Sequence, residues 1–156
     1  MQIERTGHGM TRREARETVF CLLYEKEFHK DETAEQIYDL ACENRDISND
    51  KYVRNTYFGI CEHREEIDKI IGQHSNGWRA DRLSFISRSI IRLAVYEMLY
   101  SEDIPANVSI NEAVELAKKY DEEKARAFIN GVLNSVFKSM TAAKATDKQA
   151  SEDEKH

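Results

Sequence analysis

The sequence contains few of the residues that interrupt helices. Its 156 residues include one proline, Pro105, and 6 glycines. Because glycine and proline most often mark turns and loops, their scarcity argues against a sheet with many short connections and favours long helices. The sequence also has no alternating strand pattern and no internal repeat. We therefore predict an all-α fold.

The residues that carry catalysis or bind metals are also sparse or badly spaced. The three cysteines, Cys21, Cys42 and Cys61, form no Cys-x-x-Cys pair, and the five histidines show no ligand spacing. We interpret the cysteines as reduced thiols within helices. There is no Gly-x-Ser-x-Gly motif and no glycine-rich loop after a strand. We expect no metal, no cofactor and no catalytic site.

Long apolar runs are missing as well. No stretch approaches the roughly 18 to 20 uninterrupted apolar residues that a membrane span needs, and the first residues lack the apolar segment of a signal peptide. We therefore expect a cytoplasmic protein without a membrane partner. The formal net charge of −6 argues against non-specific coating of nucleic acid, although a local basic patch remains compatible with it.

The apolar residues that are present recur at helical spacing between a polar start and a polar end. We predict a disordered arm over residues 1–10, one helical domain over 11–140 and a disordered tail over 141–156. Met10 is an alternative start to Met1, because the helical pattern begins just after it. The predicted helices begin near Thr11, Thr33, Ser48 or Asn49, Arg64, Ser84 and Ser109, and the last begins after Tyr120-Asp121.

Three short motifs resemble capping boxes, in which a hydroxyl side chain and a Glu or Gln satisfy the first amides of a helix. Thr11 with Glu14 and Thr33 with Gln36 are two of them, and the third is the segment Ser109 to Glu112. The segment Ser84 to Tyr100 is apolar on nearly all sides, which predicts a helix in the middle of the bundle. Glu97 lies on its apolar stripe, so we expect a structural hydrogen bond there.

The start of the first helix is basic within an otherwise acidic chain. Arg5, Arg12, Arg13 and Arg16 cluster there, and arginine forks suit phosphate oxygens and can stack on bases. On a helical wheel, Phe20, Arg13 and Tyr24 fall together beside the core stripe. This aromatic strip is either the flank of the core or a docking surface, and the wheel alone leaves both readings open.

A second basic group surrounds the turn before the last helix, with Phe128 one helical turn further on. Its members are Lys118, Lys119, Lys124 and Arg126. Taken alone, charges at a turn are most simply explained as solubilising. For Asn111 and Asn130 we favour a structural role, because asparagine near a helix start often bonds to the backbone.

In combination and in order, several segments resemble the NusB family. The first are Thr11-Arg12-Arg13-Glu14-Ala15-Arg16 and Leu22-Leu23-Tyr24. Next come Trp78, Arg82-Leu83 and Ile90 to Met98. The last are Asp103-Ile104-Pro105, Val108 to Lys118 and Phe128 to Leu133. Each short piece alone would be weak, but the combined string is specific and covers about Met10 to Met140.

The resemblance implies a fold, a function and partners. It implies two packed helical bundles and a transcription antitermination factor of bacteria. Such a factor binds the boxA element of ribosomal RNA leaders with NusE, a small-subunit ribosomal protein, and joins RNA polymerase. By position, the residues implied to meet RNA are Arg12, Arg13, Arg16, Lys118, Lys124 and Phe128. Those implied to face NusE are Tyr24, Asp81 and Ser87.

The chain departs from some relatives at two of these positions. Ser87 replaces an acidic residue, which weakens the case for a charge contact with NusE there. Lys124 is basic where some relatives are acidic, and we expect it to add a phosphate contact. Some relatives form homodimers, and the sequence leaves the oligomeric state open.

Two other classes of function are alternatives to RNA binding. One is a helical module that binds proteins through the Tyr24 strip and has no RNA specificity of its own. The other is an enzyme fragment, since the same module occurs fused to RNA methyltransferases. The enzyme reading is poor, because no cofactor-binding α/β region accompanies the helices in this sequence.

Overall fold

A computed structural model of the protein describes residues 10–45, 47, 50–76 and 82–154, with side chains up to residue 149. Within these ranges the chain forms seven α-helices and no strand, which confirms the predicted all-α class. The helices are α1 (Arg12–Phe28), α2 (Ala34–Asn44), α3 (Lys51–Glu62), α4 (Arg64–His74), α5 (Phe85–Tyr100), α6 (Ala106–Tyr120) and α7 (Glu123–Glu154).

Local side-chain chemistry sets several of the helix starts. Thr11 and Thr33 form complete capping boxes with Glu14 and Gln36, as predicted. Ser84 accepts a hydrogen bond from the amide of Ser87 at the start of α5. At the end of α4, Asn76 adopts a φ of 53°, a left-handed conformation that asparagine tolerates well and that stops the helix.

The most apolar helix, α5, lies at the centre of the fold. It contacts α1, α3, α4, α6 and α7, so helices from both halves of the chain pack on it. Ile90, Ile91 and Val95 of α5 are fully buried. This arrangement confirms the prediction of a central helix and explains why its apolar residues leave no solvated face.

A buried ionic cluster holds α1 and α4 against α5. The Glu27 carboxylate accepts hydrogen bonds from Arg88 and Arg92, and Arg92 also donates two bonds of 2.8 Å to Asp68. Burial alone would raise the pKa of Glu27, but the bond from Arg92 and the surrounding arginine charges outweigh it and lower that pKa. The charges in this cluster are therefore matched inside the protein.

The predicted start of α6 at Ser109 is wrong. The helix begins at Ala106, with Pro105 as the preceding cap residue. Pro105 suits a cap, because its ring fixes a φ of −60°, its ψ of 140° is non-helical, and its nitrogen, which has no hydrogen to donate, lies before the first helical amide. Ser109 and Glu112 instead bond to other helices: the Ser109 hydroxyl donates to Glu97, and Glu112 accepts from Arg13.

Helix α7 continues to Glu154, past residue 141, where we placed the start of a disordered tail. The side chains of residues 141–149 are exposed, so burial does not explain the extension. Helix propensity does: the segment contains Ala142, Ala143, Lys144 and Ala145, and no glycine or proline follows Gly131. Apolar periodicity ends near Phe137, whereas the local preference for helix persists.

Candidate functional site

Arg16 and Glu97 are the centre of a buried polar network beneath the basic start of α1. Arg16 Nε lies 2.8 Å from Glu97 Oε2, and their side chains are 7% and 1% exposed. Glu97 also accepts a 2.7 Å bond from the Tyr52 hydroxyl and a 3.0 Å bond from Ser109. The predicted structural hydrogen bond of Glu97 is thereby confirmed, and four helices meet at one carboxylate.

Arg16, one of the residues predicted to meet RNA, is buried. A guanidinium that is nearly inaccessible and bound to a carboxylate is poorly placed to contact RNA. Burial acts to lower the pKa of Arg16, but the hydrogen bond and charge of Glu97 outweigh it and raise that pKa, so the ion pair persists. The structure therefore argues against a direct RNA contact by Arg16 and in favour of a role in positioning α1.

Arg12 is held on the surface by stacking rather than by a carboxylate. Its guanidinium carbon lies 4.3 Å from the centre of the Tyr52 ring, and the hydroxyl of that ring is anchored on Glu97. Among the residues described, Arg12 makes no ion pair. Because an arginine stacked through its face keeps its N–H groups at its edge, Arg12 remains able to bind a phosphate.

Arg13 and Lys118 are brought together between α1 and α6, but each already has a carboxylate partner. Arg13 donates to both oxygens of Glu112, at 3.1 and 2.9 Å, although its side chain is 68% exposed. Lys118 lies 3.0 Å from Glu115. The hydrogen bond that Arg13 donates to Glu112 raises the pKa of Arg13. A phosphate would therefore have to compete with these carboxylates.

Lys124, Phe128 and Ser87 line a groove of about 1030 Å³ between the start of α5 and the start of α7. Lys124 is exposed and makes no hydrogen bond or ion pair with any described residue, whereas Phe128 is partly buried against the core. Ser87 is buried, and its hydroxyl donates a 2.6 Å bond to Asp121. The structure therefore argues against a direct partner contact by Ser87.

Lys119 and Tyr120 connect the two basic groups. Lys119 lines both the groove beside Lys124 and the hollow beside Arg13, and its ammonium pairs with Glu17 on α1. The Tyr120 hydroxyl donates to the same carboxylate. Bonds from Lys119 and Tyr120 lower the pKa of Glu17, so it remains ionised. The basic surface is thus continuous from α1 across the α6–α7 turn.

Tyr24 belongs to a row of aromatic rings that begins in the core and ends in solvent. Its ring lies 6.3 Å from Phe20, which is buried, and 4.8 Å from Phe28, which is 57% exposed. The row continues from Phe28 to Phe85 at 5.1 Å. Of the two readings of the strip of Phe20, Arg13 and Tyr24, the core reading fits Phe20, whereas the exposed Phe28 that continues the row favours docking.

Sequence reasoning missed three residues of these surfaces. Phe28 could have been found, because it follows Tyr24 by four residues on the same helical face. Phe85 and Tyr52 could not, since their partners lie on other helices. The predicted residues Arg5 and Asp81 lie outside the described part of the chain.

Neither a metal site nor a membrane-spanning helix is found in the described ranges. No group of three or more His, Cys, Asp and Glu side chains is arranged there to hold a metal ion. None of the described helices is both long and apolar enough to cross a membrane.

Comparison with known proteins places the chain in one family. The model of the NusB family matches residues 13–138. A transcription antitermination protein NusB from Ruminiclostridium cellulolyticum is 44% identical over 146 residues, which cover 90% of this chain and 100% of that protein. The NusB protein of Agathobacter rectalis is 46% identical over 127 residues, covering 80% and 97%.

Solved structures agree with the sequence relatives. A structure of T. maritima NusB superposes with a TM-score of 0.75 at 39% identity and covers 83% of this chain and 92% of that one. A structure of the antitermination factors NusB and NusE in complex with dsRNA gives a TM-score of 0.73 at 32% identity, covering 82% and 96%. The matched family model spans most of the chain, and the fold agrees over the same region. The chain belongs to the NusB family.

Proposed function

We propose that this protein is a transcription antitermination factor that binds boxA-type single-stranded RNA together with NusE and joins RNA polymerase to suppress premature termination. The observation that carries the proposal is its likeness to relatives named as antitermination proteins over their whole length. The solved structure of NusB and NusE with RNA supports the same partners. We propose that the protein has no catalytic role and acts in the cytoplasm, where bacterial transcription takes place.

The surface chemistry supports a division of this work between two faces. Arg12, Arg13, Lys118 and Lys124 would contact phosphates, and Phe128 would offer a ring on which an unpaired base can stack. Arg16 would act indirectly, by fixing the start of α1 through Glu97. The aromatic row at Tyr24 and Phe28 would contact NusE, because exposed aromatic rings are favoured in protein interfaces.

One alternative is a protein-binding adaptor without RNA specificity. Two observations favour it: the exposed end of the aromatic row, and the pairing of Arg13 and Lys118 with carboxylates, which reduces their availability to phosphate.

Fluorescence anisotropy with a boxA strand and a scrambled strand, with and without NusE, separates the two functions. The proposed function predicts preferential binding of boxA that NusE tightens. Equal binding of both strands under every condition, with NusE still bound, would instead establish the adaptor.

A further inference from the structure

The α6–α7 hollow, a polar depression beside the predicted RNA surface, has no assigned role. It has a volume of about 740 Å³, within the roughly 300 to 1,000 Å³ of small-ligand sites. The side chains relevant here are Arg13, Asn111, Glu112, Lys118, Arg126 and Asn130. Arg13 and Lys118 also line the hollow between α1 and α6, so the α6–α7 hollow is continuous with that surface.

The charge of the α6–α7 hollow is unlike that of a phosphate track. Three cationic side chains line it, but so do the carboxylates of Glu112, Glu115 and Glu123, and the formal charges cancel. A surface that follows a phosphate backbone gains its affinity from an excess of positive charge. A neutral surface rich in donors and acceptors is better suited to the edges of nucleobases.

Two amides in the hollow have unused hydrogen-bonding capacity. Asn111 is exposed on α6, and its side chain bonds to no described residue. Asn130 is exposed on α7, where its carbonyl oxygen accepts a 3.1 Å bond from Asn134 while its own amide N–H groups donate to none of the described residues. Asparagine offers a donor and an acceptor side by side, which is the pattern that pairs with an adenine edge.

Arg126 provides further hydrogen-bond donors at the wall of the hollow. Its Nε atom is buried from solvent and has no hydrogen-bond partner among the described residues. Because Nε is closed to solvent, a base edge in the hollow would bind the terminal N–H groups of Arg126, which donate to no described residue.

On the basis of the proposed function, we infer that the α6–α7 hollow reads one or two unpaired bases of the bound RNA through Asn111, Asn130 and Arg126. This inference differs from our expectation of a structural role for the two asparagines, which was based on their positions near helix starts. The cations beside the hollow hold the phosphates, and the amides discriminate between bases.

The test measures the affinity of the full chain for the boxA strand and for a panel of strands that each change one base. Asn111→Ala and Asn130→Ala are compared with wild type, and Asn55→Ala on the exposed face of α3 is the matched control. Alanine is the better helix former, so these variants should fold. Circular dichroism and urea unfolding check this for each variant.

The inference predicts about a tenfold loss of affinity for boxA in the Asn111 and Asn130 variants, and loss of discrimination at one or two base positions only. The dependence of affinity on salt should stay as in wild type, because an amide releases no counterions. Uniform weakening on all strands with a smaller salt slope would make the hollow a phosphate contact and overturn the inference.

The outcomes also separate this inference from the proposed function. If wild type prefers boxA and both asparagine variants keep the full preference, the inference fails and the proposed function stands. If wild type itself does not discriminate, with or without NusE, the proposed function fails and base reading by the hollow fails with it.

Discussion

Arg16 on α1 forms a buried ion pair with Glu97 on α5, across 81 residues of sequence, with Nε 2.8 Å from Oε2. The pair stands below Arg12 and Arg13, and its carboxylate also binds Tyr52, on whose ring Arg12 is stacked. Arg12 and Arg16, two arginines of the same motif, thus have different roles. Arg16 fixes the helix, and Arg12 remains available at the surface.

Arg16→Met should therefore destabilise the protein more than it weakens RNA binding. Removing one member of a buried ion pair leaves the other charge uncompensated, which costs about 3 to 5 kcal/mol. Urea unfolding would measure this loss, with Arg54→Met on the exposed face of α3 as control. A stable Arg16→Met variant with a large loss of RNA affinity would contradict the positioning role.

Glu112→Gln should increase RNA affinity by a few-fold at low salt. In the free protein the Glu112 carboxylate is bound to the Arg13 guanidinium, and a phosphate must displace this carboxylate. With glutamine at position 112, phosphate binding to Arg13 would release a solvent ion instead of displacing a carboxylate. The slope of log affinity against log salt concentration should therefore become steeper by about 0.7. Glu43→Gln, at an exposed position of α2, is the control. A decrease in affinity would mean that Glu112 itself helps to bind RNA.

Lys124→Asp should weaken RNA binding and make it less sensitive to salt. Lys124 is exposed, and no described carboxylate pairs with it, so it is available to a phosphate. Loss of one phosphate contact reduces the salt slope by about 0.7 for a single strand. Lys138→Asp on the same helix controls for the change in net charge. Unchanged affinity and slope would remove Lys124 from the RNA surface.

The Glu27 cluster predicts loss of stability in acid. Because the folded-state pKa of Glu27 is lowered, its stabilisation is fully present above its unfolded pKa of about 4.3. It is lost as the pH falls through the folded value. Glu27→Gln should cost about 3 kcal/mol or more at pH 7, and the difference from wild type should shrink below about pH 4. Urea unfolding at several pH values measures it, and a constant difference would refute the assignment.

Removing residues 141–156 should leave the stability of the fold almost unchanged. The side chains of residues 141–149 are exposed, and surface changes of this kind usually alter stability by less than about 0.5 kcal/mol. Urea unfolding and the circular dichroism signal at 222 nm would be compared for the full chain and the shortened one. A large fall in stability would show that the end of α7 packs on the body.

Local signals in the sequence were sufficient for most of the fold. Thr11 and Thr33 predicted their helix starts, because a capping box is complete within four residues. The same pattern failed at Ser109, whose hydroxyl and whose partner Glu112 both bond to other helices. A motif that looks local can thus be used for tertiary contacts, and spacing alone does not distinguish the two uses.

The candidate site could be predicted from the sequence less completely than the fold. The wheel places Arg16 only about 20° from Leu23 in the core stripe, which signals burial. It gives no indication of Glu97, which lies in the other half of the chain. The carboxylates that pair with Arg13 and Lys118 also could not be identified from the sequence, because acidic residues are plentiful throughout it. Position along the chain identified candidate cations, but only packing showed which remain available.

The central claim is that the exposed start of α1 is part of an RNA-binding face. The most direct test is an anisotropy titration of boxA and scrambled strands with wild type, the double variant Arg12→Ala and Arg13→Ala, and the control Arg54→Ala, each with NusE present. We predict preference for boxA in wild type and in the control, and a loss of affinity with a smaller salt slope in the double variant. Equal affinity and slope in all three proteins would contradict the claim and leave the arginines as a solvated helix start.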